Sequence, residues 1–342
     1  MSRLLAVFVV LAAAGLGACS GDGRVPVAVP AQPGPPWVSA VQRDHPLAGR
    51  IWRPSENGFV DRWTMLAALE KAPFVLIGEK HDNVDHHAIQ AWLLARLVAR
   101  GRRPAVAFEM LTRDQEGRLA AYLAAHPRQA AGLGKAVAWG KSGWPDWATY
   151  RPIAQAALDG GAPIVAAGLP RRTLRAIAKK GIAALHRKDK GLLGPYRALS
   201  PRLAARMKKQ IIEGHCNMLP VSMIDPMVTM QTAKDAAMAA ALVRSGHAAG
   251  RDGAVLIAGN GHVRADLGVP SHLRRMAPGK AVAAIGLLEV EEGKNHPSAY
   301  GAGFDGALPF AFVWFSPRVD NLDPCEKYAD KLRRAGEKRH QP

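Results

Sequence analysis

Short apolar runs alternate with longer stretches in which apolar residues recur every three or four positions, and this alternation dominates the chain from residue 73 onward. Residues 73–78, PFVLIG, form an apolar run of strand length. Residues 84–99 place Ile89, Leu93 and Leu97 on one stripe, which predicts an amphipathic helix. Arg102-Arg103-Pro104 breaks that pattern, and residues 105–108 predict a second strand leading to Glu109. Residues 113–125 predict a helix, 139–152 are aromatic and turn-rich, and 153–158 are helical again. A further strand, 163–167, runs into Gly168-Leu169-Pro170-Arg171. The stretch 174–212 reads as helical and strongly basic, with breaks at Gly191, Gly194, Pro195 and Pro201, and 227–248 predicts a long helix. Residues 254–258, 281–290 and 308–315 predict the later strands.

Strands alternating with helices predict an α/β fold: a central, mostly parallel sheet with helices on both faces and a helical insertion or lid. The folded domain is expected over 46–320, with the insertion over about 174–250 and a basic C-terminal tail over 321–342. Hydrophobic residues make up 48% of the chain, enough for a substantial core. Three cysteines exclude a disulfide-rich scaffold.

The N-terminus changes the picture. Arg3 precedes an apolar run over 4–18, short for a membrane span and shaped like an export signal. The run ends in Leu16-Gly17-Ala18-Cys19, which resembles the lipobox of bacterial lipoproteins. Residues 1–18 are therefore expected to be a signal peptide, with Cys19 lipidated and 19–45 a Pro- and Gly-rich tether. Ser20, rather than Asp, after that cysteine points to the outer membrane of a Gram-negative bacterium, with the domain facing the periplasm. The formal net charge is +18, which suits anionic lipid heads or acidic ligands. Export and the lack of any stacking pattern argue against nucleic acid. Cys216 and Cys325 enter an oxidising compartment, but their spacing does not decide whether they pair.

Sites in such sheets gather at the carboxyl ends of strands. Three polar groups fall there: Gly78-Glu79-Lys80-His81, Glu109, and Gly259-Asn260-Gly261-His262. Glycine lets the chain turn sharply, and the imidazole or carboxylate is then free to face a crevice. His81, Glu109 and His262 are candidate acid–base residues if the chain is a hydrolase. His81, Glu79 and His262 are candidate ligands for a divalent metal. The alternative is a pair of loop histidines that cap helices or bond backbone. Asp82, Asn83 and Asp85 precede the helix over 84–99 as caps do. His87 is expected to reach the crevice and His86 to lie at the surface or in support. Arg264 and Arg171 are candidate clamps for a carboxylate or phosphate.

Six segments in order carry a resemblance: GEKHDNVDHHAIQ at 78–90, AFEMLTRDQ at 107–115, WPDWATYRP at 144–152, AAGLPR at 166–171, EGHCNMLP at 213–220 and AGNGHVRADLGVP at 258–270. Over residues 50–316 the chain resembles the ChaN-type haem-binding lipoproteins, grouped with Tiki/TraB and erythromycin esterase proteins in a wider superfamily. The resemblance implies haem as cofactor, and a role in haem uptake or transfer rather than an enzyme. It implies outer-membrane lipid, a haem receptor and a second copy of the chain as partners, with haem held between protomers through tyrosine. The runner-up is a metal-dependent hydrolase of that superfamily. Departures are Lys80 inside the first motif, Gly168 where Asn is frequent, and Asn217 where Gly is common.

Haem asks for an axial donor, an apolar slab and cations for its propionates. The chain has five tyrosines. Tyr196, beside Leu192-Leu193 and followed by Arg197, is the candidate ligand with its propionate partner, with His186 or Met207 as alternative ligands, and His87 and Arg264 complete the expected set. The remaining tyrosines, Trp144 with Trp147, and Met223, Met227 and Met230 are expected to serve packing.

Overall fold

The computed structural model describes residues 36–323 together with Cys325, Glu326 and Ala329. The expected signal peptide, Cys19, most of the tether and most of the tail lie outside the described residues. No helix among the described residues is long and apolar enough to cross a membrane.

The chain opens with two short strands, β1 (Ile51–Arg53) and β2 (Gly58–Val60), and helix α1 (Arg62–Glu70). None of the three was expected from the sequence. Asp61 caps α1 by accepting from the backbone N–H groups of Trp63 and Thr64. Then come β3 (Phe74–Ile77), α2 (Val84–Ala99) and β4 (Ala105–Thr112). Asn83 caps α2, accepting from the N–H groups of Asp85 and His86. The next elements are α3 (Glu116–Ala125), α4 (Leu133–Ala136), α5 (Trp147–Asp159) and β5 (Ile164–Gly168). The basic region supplies α6 (Arg171–Lys180), α7 (Arg187–Leu192) and α8 (Pro201–Gly214), followed by α9 (Val221–Gly246). The chain continues through β6 (Ala254–Ile257), α10 (Asn260–Val263), α11 (Val269–Met276), β7 (Val282–Glu289) and β8 (Phe312–Ser316).

The strands form one eight-stranded sheet in the order β2-β1-β8-β7-β3-β6-β4-β5. From β8 to β5 every pairing is parallel, and β1 adds to β8 and to β2 in antiparallel fashion. The fold is therefore α/β with a mixed, mostly parallel sheet and extra helices. Alternate residues of the central strands face opposite layers, as the pleat requires. Val75, Ile77, Val106 and Phe108 pack with α1, α2 and α5. Phe74, Leu76, Ala105 and Ala107 pack with α9 and α11.

Two details refine the expected organisation. The last part of the expected insertion, α9, is a core helix: Met238, Ala239, Ala241 and Leu242 are buried against the sheet. The basic layer outside it is α6 to α8. Strand β4 also runs past Phe108, so Glu109 sits inside it. The pairing with β5 shifts register between Phe108 and Thr112, and a Cβ on Gly168 would collide with the Glu109 carbonyl oxygen. A glycine at 168 therefore makes room for that irregularity.

Cys216 and Cys325 form a disulfide with their Cα atoms 5.6 Å apart, tying the C-terminal segment to the α8–α9 turn. In that turn Cys216 and Asn217 both have φ 58. This is left-handed backbone, which Asn tolerates better than most residues and glycine adopts freely.

Candidate functional site

β3, β6 and β4 are neighbours, so the turns leaving β3 and β6 meet beside Glu109. The two Gly-x-x-His segments interlock. A Cβ on Gly259 would come within 2.9 Å of His81 Nε2, and one on Gly78 would run into Asn260 Oδ1 and approach Val263 Cγ2 to 2.8 Å. Each glycine thus vacates the space taken by the other motif. Asn260 then accepts from Leu287 N and donates to Leu287 O, fixing the second turn to β7.

The first turn carries a carboxylate–imidazole pair. Glu79 Oε1 lies 2.6 Å from His81 Nδ1 and also accepts a hydrogen bond from the Tyr150 hydroxyl at 2.6 Å. Burial favours the neutral acid at Glu79. The hydrogen bond and charge of His81, the nearby His87 and Tyr150 outweigh it and hold the pKa at about 2. An ionised Glu79 makes His81 Nδ1 the donor and leaves Nε2 turned toward Glu109 Oε2, 4.0 Å away. Burial alone would lower the His81 pKa, but Glu79 and Glu109 raise it. The His81 side chain is 32% exposed, whereas those of Glu79 and Glu109 are enclosed. A solute reaches the network through His81, whose ring stands 4.6 Å from that of Trp144.

The second turn carries a deeper network. His262 lies between two carboxylates, with Nδ1 2.5 Å from Asp235 and Nε2 3.1 Å from Glu109. Burial opposes its protonation, but Glu109 and Asp235 prevail over the repulsion from Lys234 and raise the pKa to about 9. Lys234 Nζ donates to Glu109 Oε1 at 2.6 Å and stands 3.0 Å from His262 Nε2. Gly259 N donates to the other oxygen, Oε2, at 3.0 Å. Burial would raise the Glu109 pKa, yet His262 and Lys234 hold it well below the usual carboxylate range.

The structure thus brings His81, Glu79, Glu109 and His262 together. They are not disposed as a metal site: among the described residues no group of three His, Cys, Asp or Glu side chains is arranged to hold a metal ion. The reason lies in the partners. Lys234 puts an ammonium against both Glu109 Oε1 and His262 Nε2, the atoms a cation would need, whereas the Nδ1–carboxylate bonds of the two histidines would not by themselves oppose a metal. A dication there would have to displace or face that ammonium.

The other expected residues scatter. His87 lies behind Glu79, not in the crevice; its Nε2 is 3.6 Å from Glu79 Oε2 and its ring packs 4.0 Å from Tyr150. Burial lowers its pKa even against Glu79. His86 is fully buried rather than superficial, bonded to Ser316 Oγ and to Lys80 N. Arg264 is buried and pairs through two nitrogens with Asp266, with a further bond to Gln210, so its guanidinium is already engaged. Lys80 points to Glu289, 2.9 Å away. Tyr196 and Arg197 belong to the basic layer; Tyr196 is half-buried and Arg197 exposed. Burial raises the Tyr196 pKa while Arg275 opposes the rise.

Sequence reasoning missed Lys234, Asp235 and the bond from Tyr150. The first two had a signal. Residues 233–242, AKDAAMAAAL, are apolar apart from this one charged pair, and a charged pair in a run of that kind is more often partnered than solvated.

Comparison with known proteins follows the same lines. The solved structure of Campylobacter jejuni ChaN with cofacially bound heme superposes with a TM-score of 0.59 at 20% identity, covering 77% of this chain and 95% of that one. The type III effector HopBA1 gives 0.40 at 14% identity over 74% and 92% of the two chains. A mutant of the erythromycin esterase EreC in its open conformation gives 0.37 at 16% identity over 79% and 82%. The first likeness shows the fold, and the other two are too distant to carry an argument. No curated protein matches this chain. The profile of one family, described as haem-binding uptake, Tiki superfamily, ChaN, matches residues 65–273. With more than half of its length matched, the chain belongs to the ChaN haem-binding uptake family of the Tiki superfamily.

Proposed function

We propose that this protein is a haem-binding lipoprotein of the bacterial envelope that takes part in haem uptake or transfer, with Tyr196 as the residue that would hold the iron. The state of the tyrosines carries the reading. Tyr150 gives its hydroxyl to Glu79, and burial with that negative charge pushes its pKa far up. The hydroxyls of Tyr122 and Tyr300 accept from the backbone N–H groups of Gly132 and Glu291. Tyr328 lies outside the described residues. Among the described residues only the Tyr196 hydroxyl makes no hydrogen bond. Its ring rests on an apolar patch with Leu192, Leu193 and Met230. Burial raises the Tyr196 pKa, Arg275 works against that rise, and Arg197 adjoins it in sequence. These residues fit the group: a phenolate for the iron, an apolar surface for the ring, and guanidinium groups for propionates. Haem, if bound, would supply an iron that the Tyr196 oxygen would hold. The family match and the fold of the heme-bound Campylobacter protein support the same reading, as does the lipobox at Cys19 for outer-membrane anchoring.

Haem titration tests it. Stoichiometric binding with a high-spin, tyrosinate-type spectrum is expected, and Tyr196→Phe should abolish it. Unchanged binding in that variant, or a low-spin bis-histidine spectrum, would overturn the assignment.

A second reading is favoured by the crevice. Glu79 orients His81 as an orienting carboxylate does for a general base, leaving Nε2 at the accessible mouth. There His81 takes a proton from water as the water oxygen bonds to an acyl carbon, and returns it to the leaving oxygen as the acyl–oxygen bond breaks. The expected metal dependence does not fit, because the Lys234 ammonium already stands against Glu109 and His262. An ester hydrolysis that persists after chelation and disappears in His81→Ala is the expected result. Loss of activity on chelation would sink this version.

A further inference from the structure

Arg171 is left over by both readings, and it borders a cavity. A cavity of about 310 Å³ opens beside the crevice, floored by Met110, Val137 and Trp144. Its rim carries the basic groups Arg118, Lys141, Arg171 and Arg172 against a single acid, Asp114. Arg118 and Lys141 form no ion pair among the described residues. Arg171 spends one nitrogen on the Ser142 carbonyl, and Arg172 has only a distant contact, 4.0 Å, with Asp189. Four cations facing one carboxylate around an apolar floor are unbalanced, and an anion restores the balance. Trp144 belongs to two places at once. It walls this cavity, and its ring stands 4.6 Å from His81.

We infer that this cavity is an anion subsite of the crevice, holding the carboxylate or phosphate end of a small amphiphilic ligand whose other end lies over His81. The apolar floor takes the body of the ligand and the arginine rim its charge. The volume suits one aromatic ring or a short chain rather than a macromolecule. This deepens the hydrolytic reading by naming its substrate class, an ester of a small anionic compound. It rests on that reading only for what happens at His81, not for binding.

Calorimetry of the full chain with 4-acetamidobenzoate and its neutral analogue 4-acetamidobenzamide separates the two questions. The carboxylate should bind at least about tenfold more tightly than the amide, the weight of one charge-assisted hydrogen bond. Arg171→Ala/Arg172→Ala should remove that preference, and Arg118→Ala should weaken it. If 4-acetoxybenzoate is not hydrolysed while the charge preference is present, the hydrolytic reading fails and the subsite stands. Equal affinity for carboxylate and amide, no binding of the carboxylate up to about 10 mM, or an unchanged preference in the double variant overturns the subsite.

Discussion

The turns after β3 and β6 carry the same Gly-x-x-His spacing, yet they make two different histidines. His81 draws its carboxylate from two residues earlier in its own turn and stays 32% exposed. His262 draws Asp235 from α9, 27 residues earlier, and its side chain is 7% exposed. One spacing thus yields an accessible, oriented base and a buried, charged strut. The motif fixes where an imidazole leaves the strand; the partner it meets there decides what it does.

Removing Glu109, the carboxylate both turns share, should have the largest effect. Glu109→Ala strands Lys234 and His262 beside each other without their common counter-charge, and orphans the Gly259 N–H. A loss of about 3–5 kcal/mol in denaturant unfolding is expected, as for other broken buried ion pairs. Glu109→Gln, which retains an acceptor for Gly259, should lose less. A cost for Glu109→Ala below about 1 kcal/mol, the level of exposed pairs, would mean that the two turns are not joined through it.

The pH dependence of stability separates the histidines next. The His262 pKa is raised to about 9, against about 6.5 in an unfolded chain. Its contribution is therefore fully present below about pH 6.5 and is lost as pH rises through about 9. His81 is raised too and acts in the same direction. Glu79, lowered to about 2, acts at the other end: its contribution is present above its unfolded value of 4.5 and is lost as pH falls through about 2. The urea midpoint should drop between about pH 6.5 and 9.5, and His262→Gln should flatten most of that drop. A wild-type midpoint that is level across this window would contradict the buried imidazolium.

Much of this frame is written in the chain. The apolar runs mark β3, β4, β5 and β6, and the periodic stripe marks α2, because burial on both faces imposes those patterns. β1 and β2 are three residues each, too short for alternation to stand out, and they exist because β8 offers β1 an edge to pair with. The convergence of His81 and His262 follows from strand-end positions once β3 and β6 are neighbours, and Glu109 joins them from inside β4, level with the end of β6. The identity of the partners does not follow. Lys234 and Asp235 arrive on α9 from behind the sheet, and Tyr150 arrives on α5, so only the packing of layers puts them at the site. The same holds for Arg264, whose place in the chain suits a clamp but whose neighbour Asp266 claims it.

The interlocking glycines give a smaller effect that also differs between the turns. Gly78→Ala meets Asn260, Val263 and the Ile285 carbonyl oxygen at 3.0 Å. Since backbone cannot give way, about 1–3 kcal/mol of overpacking is expected. Gly259→Ala meets the His81 ring, which has solvent to move into, and about 0.5 kcal/mol is expected. Its signature is instead a change in His81 titration by NMR, because a displaced ring leaves Glu79. Equal costs for the two substitutions would remove the asymmetry.

Tyr150→Phe is the finest probe of the comparison, since it touches the first turn alone. It deletes the hydrogen bond to Glu79 Oε1 and the longer one to the His81 carbonyl oxygen, and leaves the His81 side-chain bond to Glu79 intact. The ring keeps its packing with Trp139 and His87. The cost should be about 1–2 kcal/mol, the range for a hydrogen bond to a charged group with its partner still served. With one donor gone, the carboxylate concentrates its charge on His81, so the His81 pKa should rise further by NMR titration while that of His262 stays in place. A shift at His262 equal to that at His81 would show one continuous network through Glu109 in place of two carboxylate–imidazole pairs that merely touch there.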